Sequence, residues 1–368
     1  MKVLYATTIS NTINAFFIPH IELLLDQGHT VDIACNIKKE ISPALLERGC
    51  KVIDINFQRT PLAKQNFQAY KKIVHLINNE NYDLIHVHTP VAAAYVRFAS
   101  RKKSNIKLIY TAHGFHFYKG APIRNWLLYY PIEYILSRDT DVLITINKED
   151  FKRAKSFKAK KVEYIKGVGF DSKKFSEVVV DRAAKRDELE IPLEAYCVLS
   201  VGELNKNKNH ETVINAIARL NNPKIHYLIC GEGPLESYLI TLAERLNIKK
   251  QVKFLGYRTD IAEICKVVDL FVFPSYREGL PVAVMEAMAS GLPIICSDIR
   301  GNRELIENKK NGFIIKPSDV KGMSILIDKM FKEIANNNSI SYQNKEKAKE
   351  FDINSVLIKI QAIYADIN

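Results

Sequence analysis

Two carboxylates, separated by seven residues, bracket the run Glu278-Gly279-Leu280-Pro281-Val282-Ala283-Val284-Met285-Glu286, whose other side chains are almost all apolar. Pro281 stands where the first turn of a helix tolerates proline, which puts Glu286 about one turn inside that helix. Burying an unpaired charge among Val284, Met285, Ala287 and Met288 is costly, so Glu286 is expected to face a polar ligand. Backbone N–H groups at such a helix start form an anion site of the kind that takes a diphosphate. An acidic side chain one turn on can then accept hydrogen bonds from ribose hydroxyls. Glu278, in the loop before the helix, would lie nearer the far end of the same ligand. Either glutamate alone could be a solvated or ion-paired surface group; spacing, glycine turn and apolar helix together favour the ligand.

Other chemistry-bearing residues also stand at the ends of apolar runs. Thr111-Ala112-His113-Gly114-Phe115-His116 sets a histidine beside a glycine, well placed for a ligand. His86 and His88 alternate on one strand face, a spacing open to a metal pair, but no acidic or cysteine set completes it and no metal or other cofactor is expected. Gly231-Glu232-Gly233-Pro234 reads as a tight structural turn.

The elements that must carry these residues come from apolar patterning. Val3–Thr7, Val31–Cys35, Val52–Ile55, Leu84–Val87, Leu108–Tyr110 and Val142–Ile146 read as strands apolar on both faces. Helix-length segments lie between several of them, among them Ala15–Gln27, closed by Gly28. Such alternation predicts a parallel sheet covered by helices. A second set follows at Val198–Val201, Ile225–Cys230, Val252–Phe254, Leu270–Phe273, Ile294–Cys296 and Phe313–Ile315. The predicted fold class is α/β, with two doubly wound domains in tandem: residues 1–170, a charged and weakly periodic linker 171–193, and residues 194–350. A C-terminal helical pattern over 351–368, through Val356, Ile360 and Ile363, is expected to pack back on the first domain. The run Asn336-Asn337-Asn338-Ser339 is expected to be a loop.

The glutamate run, its continuation Ala287-Met288-Ala289-Ser290-Gly291-Leu292-Pro293-Ile294-Ile295, and Asn311-Gly312-Phe313 resemble the signature of retaining family-four glycosyltransferases of GT-B fold, of the bacterial exopolysaccharide or capsule type. The resemblance covers nearly the whole chain and is strongest over 198–316. It implies two Rossmann-like domains facing across a cleft, a nucleotide sugar bound mainly by the C-terminal domain, and an acceptor bound mainly by the N-terminal one. Glu278 then contacts donor-sugar hydroxyls, with Gly279, Leu280 and Val282 lining the donor site, and Glu286 holds the ribose. Gly202-Glu203-Leu204-Asn205-Lys206-Asn207-Lys208-Asn209 is similar to the diphosphate-binding loop, with Lys208 as the phosphate-contacting lysine that stabilises the leaving group. Glu203 stands where many relatives carry arginine, and Arg277, Arg258 or Lys206 are the candidate replacements. Gly256-Tyr257-Arg258 matches the segment that reads the base, here expected to be uracil. His113 takes the place of the active-site histidine near the reacting centre. The resemblance also implies that the leaving diphosphate deprotonates the acceptor hydroxyl on the same face of the sugar. The loop Thr8-Ile9-Ser10-Asn11-Thr12 lacks the paired glycines of many relatives, and Ser10 is its candidate acceptor contact.

Size and charge fit this reading. With 368 residues, 47% hydrophobic and 26% charged, the chain can fill two cores. No apolar run reaches the roughly 18 residues of a membrane helix, and the start Met1-Lys2-Val3-Leu4 enters a strand pattern directly, so a cytoplasmic location is expected. The six cysteines, scattered and mostly in apolar runs, are expected to be reduced. Residues 1–175 hold 27 Lys+Arg against 15 Asp+Glu, and 27 − 15 = 12 accounts for the whole net charge of +12. A one-sided positive field favours an anionic partner. The aromatic stretch Phe117, Tyr118, Trp126, Tyr129, Tyr130 and Tyr134, interleaved with Lys119 and Arg124 and near Arg101-Lys102-Lys103, Lys152 and Arg153, suggests docking on an anionic membrane surface and a polyprenyl-diphosphate-linked acceptor. Nucleic acid is not expected, since no base-reading module is present. Two rival readings are a nucleotide-sugar epimerase, which would need no acceptor, and a non-catalytic binding subunit, which would leave the donor intact.

Overall fold

The computed structural model of the protein describes residues 1–101, 103–333 and 338–367. Two compact units account for them: residues 1–169 together with the helix Ile353–Ala365, and residues 170–352.

In the first unit seven strands, β1 (Lys2–Ile9), β2 (Thr30–Asn36), β3 (Lys51–Asp54), β4 (Leu84–His88), β5 (Lys107–Ala112), β6 (Val142–Thr145) and β7 (Lys161–Tyr164), form one sheet in the order β3-β2-β1-β4-β5-β6-β7. In the second, β8 (Tyr196–Val201), β9 (Ile225–Cys230), β10 (Val252–Phe254), β11 (Leu270–Phe273), β12 (Ile294–Ser297) and β13 (Phe313–Ile315) run β10-β9-β8-β11-β12-β13. Every strand pair is parallel. Strand order reverses between β1 and β4 and between β8 and β11, and ligands of such sheets bind outside the carboxyl ends at that point. The inner strands are buried and rich in Val, Ile and Leu because helices cover both faces, whereas the edge strands β3 and β7 are only partly buried. Each such side chain, fully buried, contributes about 1.5–3 kcal/mol.

The helices that matter below are α1 (Ile18–Asp26), α2 (Lys64–Asn79), α3 (Pro90–Ser100), α4 (Ile123–Ser137), α5 (Ser172–Glu177), α6 (Arg182–Glu188), α7 (His210–Leu220), α8 (Val282–Ala289), α9 (Arg300–Leu305) and α10 (Ile353–Ala365). Four departures from the sequence reading have local causes. Residues 8–12 are not a loop: β1 runs to Ile9 and helical backbone begins at Ser10, continuing through a π-helical stretch, Ile13–Phe17, before α1. The segment 171–193 is not a bare linker, because Asp171 and Asp181 cap α5 and α6 with their side chains, and both helices belong to the second unit. β7, an edge strand carrying Lys161 and Glu163, lacks the apolar run that betrays a central strand. Asn338 and Ser339 open the helix Asn338–Ala348, while Asn336 and Asn337, like Lys102, lie outside the described residues.

The six cysteines are buried and free. Histidines are buried in the first unit as well. His86 bonds Tyr364 of α10 through Nδ1 (2.6 Å) and Thr111 through Nε2 (2.8 Å). His20 bonds the Val168 carbonyl (2.7 Å). Burial depresses the pKa of His20 and of His113 to about 4, and of His86 and His88 well below the ordinary value. Unfolded histidine takes its proton near pH 6.5, so the unfolded chain binds more protons than the folded one below that pH, and stability must fall as pH drops from about 6.5 toward 4. The single tryptophan, Trp126, sits in this unit and reports on it alone. Urea unfolding followed by Trp126 fluorescence is expected to show a midpoint that drops steadily between pH 7 and pH 4.5; a midpoint constant over that range would contradict the neutral-histidine core.

Candidate functional site

In the second unit the loops after β8, β9, β10 and β11 meet at the strand-order reversal. They are joined by backbone: Gly202 N–H donates to Cys230 O (2.9 Å), Leu204 N–H to Glu232 O (3.0 Å), and Gly231 N–H to Gly256 O (2.7 Å). Glycine is required at the contact, because a Cβ on Gly231 would lie 2.0 Å from the Gly202 carbonyl oxygen. The Gly231-Glu232-Gly233-Pro234 turn is thus the buttress of the loop that carries Lys208. On the other side, Tyr276 N–H donates to Asn207 O (2.8 Å) and the Asn207 side chain to Arg277 O (2.9 Å). Asn209, left-handed at φ 58°, bonds the Pro274 and Pro317 carbonyls (3.1 and 2.7 Å) and begins α7.

These contacts bring two of the sequence candidates together. Lys208 Nζ donates to Glu278 Oε1 at 2.8 Å and lies 4.7 Å from the centre of the Phe273 ring. Gly202 gives the lysine stem its space, since a Cβ there would come within 3.0 Å of Lys208 Cε. Gly279 is held by α9, where a Cβ on Gly301 would meet the Gly279 carbonyl oxygen at 2.8 Å. Leu280 is buried, and Val282 is the first residue of α8. Among the described residues no side chain caps that helix: Pro281 occupies the cap and has no donor or acceptor side chain, which leaves the first N–H groups for an anion.

Glu286 is in α8, between buried Met285 and buried Ala287. Burial pushes its carboxyl up to about 7, and the Lys174 charge on α5 pulls the other way. Lys174 was missed by sequence reasoning, which placed it in a linker; the thiol of Cys265 also feels the charge of this carboxyl. Arg300, at the start of α9, was missed too: its Nε donates to the Glu278 backbone carbonyl at 3.4 Å.

Of the cations proposed to stand in at Glu203, Arg258 is committed elsewhere. Its guanidinium bonds both oxygens of Asp260 and Glu188 Oε1 (2.7 Å), and Lys185 joins the same carboxylates. Glu203, Lys206 and Arg277 are exposed, as is Tyr257 beside Arg258.

In the first unit the loop after β5 carries His113. Asp150, capped into its own helix by Asn147, accepts from Phe115 N–H (3.0 Å) and tethers that loop. His113 Nε2 is 3.1 Å from His88 Nδ1, and Phe17 from the π-helical stretch packs against both rings. The partnership with His88 depends on register: β4 pairs with β5 with His88 opposite Thr111, two residues before His113. Both nitrogens of His86 are hydrogen-bonded inside the core, so the alternation of His86 and His88 reflects packing.

The candidate acceptor and membrane residues divide. Ser10 is buried and its Oγ accepts from the N–H groups of Lys38 and Lys39 (3.0 Å each), a structural role. Phe117 is core. Trp126, Tyr130 and Tyr134 pack inward against the Phe117 and Phe157 cluster, and Arg153 lies over the Trp126 ring at 4.5 Å. Lys119, Arg124 and Lys152 are exposed. Among the described residues no helix is long and apolar enough to cross a membrane.

Comparison with known proteins follows the same division of the chain. The family profile described as Glycosyl transferases group 1 matches residues 181–347, and that described as Glycosyl transferase 4-like matches residues 2–147. EpsD of Bacillus subtilis (strain 168), which carries a glycosyltransferase name, is 34% identical over 371 residues, covering 99% of this chain and 96% of the relative. The UDP-Gal:alpha-D-GlcNAc-diphosphoundecaprenol alpha-1,3-galactosyltransferase of Escherichia coli is 30% identical over 79% of this chain and 77% of its own. The crystal structure of Anabaena Alr3699/HepE in complex with UDP and glucose superposes with a TM-score of 0.81 at 20% identity over the whole of both chains, which establishes the shared GT-B fold. Identity of 34% across nearly the full length, with profiles matching both units, makes this chain a family-four glycosyltransferase.

Proposed function

We propose that the protein transfers a hexose or N-acetylhexosamine from a UDP-sugar, with retention of anomeric configuration, to a hydroxyl of a polyprenyl-diphosphate-linked glycan in cell-surface polysaccharide synthesis. The observation that carries this reading is the Lys208–Glu278 pair beside the uncapped start of α8. A lysine suited to phosphate and a carboxylate suited to sugar hydroxyls, 2.8 Å apart, address adjacent parts of one ligand, the junction between sugar and diphosphate. Glu286, one turn along α8, suits the ribose of that ligand. The E. coli relative's name, with its UDP-linked donor and diphosphoundecaprenol acceptor, and the UDP and glucose of the Anabaena complex support the choice of donor and acceptor classes.

In this scheme the bond from C1 to the diphosphate oxygen breaks and the acceptor oxygen bonds C1 on the same face, while its proton passes to the departing diphosphate. Lys208 and the α8 N–H groups take up the charge that develops there. Glu278 orients the sugar, and the resemblance gives His113 a contact to the donor sugar near the reacting centre. The scheme uses no metal and no cofactor beyond the nucleotide sugar. The N-terminal unit handles the acceptor, at the cytoplasmic face of the membrane in which the lipid is anchored.

Saturation-transfer NMR against UDP-, GDP- and ADP-sugars, followed by transfer assays on a diphosphopolyprenyl glycan, tests the proposal. One UDP-sugar is expected to bind selectively and to yield a product of unchanged anomeric configuration; donor turnover without an acceptor, or a folded protein that binds none of the panel, would refute it. Replacing Lys208 by Ala is expected to lower kcat about 100- to 1000-fold, the scale for removing a group that stabilises developing charge, with a much smaller effect on melting temperature.

Glu286 supplies a pH signature. Ribose hydroxyls donate to the ionised carboxylate, so binding selects that form and releases a proton whenever the free group is protonated. With a pKa of about 7, affinity for the UDP-sugar is expected to rise as pH climbs from 6 to 8 and to level above that. The diphosphodiester of the donor does not titrate there. Calorimetry in buffers of different ionisation enthalpy measures the released proton; a Glu286→Gln variant that kept the same pH slope would locate the titration elsewhere.

A further inference from the structure

His113 is held by a neighbour to which the proposed reaction gives no task. His88, buried at the end of β4, has its Nδ1 3.1 Å from His113 Nε2. Rings fix its direction from several sides: Tyr5 stacks on it at 4.7 Å between centroids, and His86 and Phe17 lie at 4.2 Å each. Phe17 also packs on His113 at 5.6 Å, and it comes from the π-helical stretch Ile13–Phe17, a rare backbone form that recurs at functional sites. The outer histidine, only partly buried, thus has Nε2 tied to an immobile partner, which leaves Nδ1 for a ligand.

The proton between the two rings can be placed. Burial keeps both neutral, so each carries a single N–H, on Nδ1 or on Nε2. If His113 donated from Nε2, His88 would accept at Nδ1 and carry its own N–H on Nε2, which is buried and has no acceptor among the described residues. If His88 donates from Nδ1 to His113 Nε2, the nitrogen left over in the core is a bare lone pair. A buried N–H without an acceptor is the rarer fault. His20, in the same cluster, makes the same choice: its Nε2 meets the Val168 carbonyl, which can only accept, so Nε2 carries the proton and the nitrogen without a partner, Nδ1, is the bare one. The second arrangement leaves the His113 proton on Nδ1.

We propose that His88 is a positioning residue for the transfer: by donating to His113 Nε2 it holds the outer ring in the Nδ1–H tautomer, and His113 therefore meets the donor sugar as a hydrogen-bond donor aimed at a sugar oxygen. The inference rests on the proposed function for the identity of the ligand and on the geometry of the first unit for the tautomer. The bond made by one imidazole nitrogen decides which tautomer the other presents. The opposite tautomer would offer the sugar a lone pair and could only accept from a hydroxyl. A donor fixed in advance needs no reorganisation when the sugar arrives.

The test has two arms. Long-range proton–nitrogen NMR correlation across the nine imidazoles of the labelled wild-type chain reads which nitrogen of each carries the proton, and the signals of His88 and His113 are identified by their loss in His88→Phe and His113→Ala. Both rings are expected to show a protonated Nδ1 and a bare Nε2; a proton on His113 Nε2, or the averaged pattern of a ring exchanging tautomers, would overturn the proposal. The second arm is a double-mutant cycle in the transfer assay, run with the UDP-sugar that binds and a diphosphopolyprenyl glycan. His88→Phe keeps a ring among Tyr5, His86 and Phe17. It is expected to lower kcat and kcat/KM alike by up to about 100-fold, the scale for misplacing a group near the chemistry, and to cost nothing further when His113 is already Ala. Wild-type kinetics in His88→Phe, or an undiminished loss in the His113→Ala background, would reduce His88 to packing and overturn the proposal. If no UDP-sugar is transferred, the proposed reaction falls, while the tautomer measurement, made on the wild type without substrate, still decides whether His88 sets the proton on His113.

Discussion

The close approach of the loop after β8 to its neighbours after β9 and β11 is the constraint on which the candidate site depends. A parallel sheet delivers both strand ends to the same edge, but it does not by itself put a lysine within 2.8 Å of a glutamate seventy residues on. That requires backbone-to-backbone contact, possible only where Gly231 has no Cβ, and the clasp in which Asn207 and Asn209 bond the carbonyls after β11. The Lys208–Glu278 bond closes an arrangement the backbone has already made. Its energy as a partly exposed pair is modest, on the order of 1 kcal/mol, so its importance is positional.

Low dielectric acts twice in this chain, with opposite signs. Around Glu286 burial opposes the charged form of an acid and holds the carboxyl near neutrality, which makes its ionisation available to a ligand that rewards it. Around His20, His86, His88 and His113 burial opposes the charged form of a base and keeps four imidazoles neutral. A neutral His113 is both donor and acceptor, with one nitrogen engaged by His88 and the other left for a partner. A protonated ring would have lost that discrimination.

Most strands were legible because parallel strands buried on both faces are rich in apolar residues, as β1, β2, β4, β5, β6, β8, β9, β11 and β12 are. The charged edge strand β7 does not obey that rule and gave no signal. Glu278 and Glu286 stand out in the sequence because charges in apolar or glycine-rich settings need a reason, and Lys208 stands out through the resemblance of its loop. What the sequence hid were pairings between distant segments: the carboxylates that take up Arg258 come in part from Glu188 in α6, Lys174 reaches Glu286 from a segment with no apolar period, and His88 meets His113 through strand register alone. Ser10 misled for a related reason, since its hydroxyl is consumed by the N–H groups of Lys38 and Lys39, a turn invisible from residue 10.

The same distinction explains why α4 was half understood. Its composition, aromatic and aliphatic together with few charges, announces apolar packing, but composition does not say which side chains face which way. The aromatic side is the inner one because Trp126, Tyr130 and Tyr134 can each reach the Phe117 and Phe157 cluster, where large planar rings bury the most area. Leu128, Ile132 and Ile135, on the opposite side of the helix, are then forced outward by helical geometry. Core packing of the aromatics and exposure of Leu128, Ile132 and Ile135 are one fact seen from two sides, and the uncovered face follows from the fold without having been encoded separately.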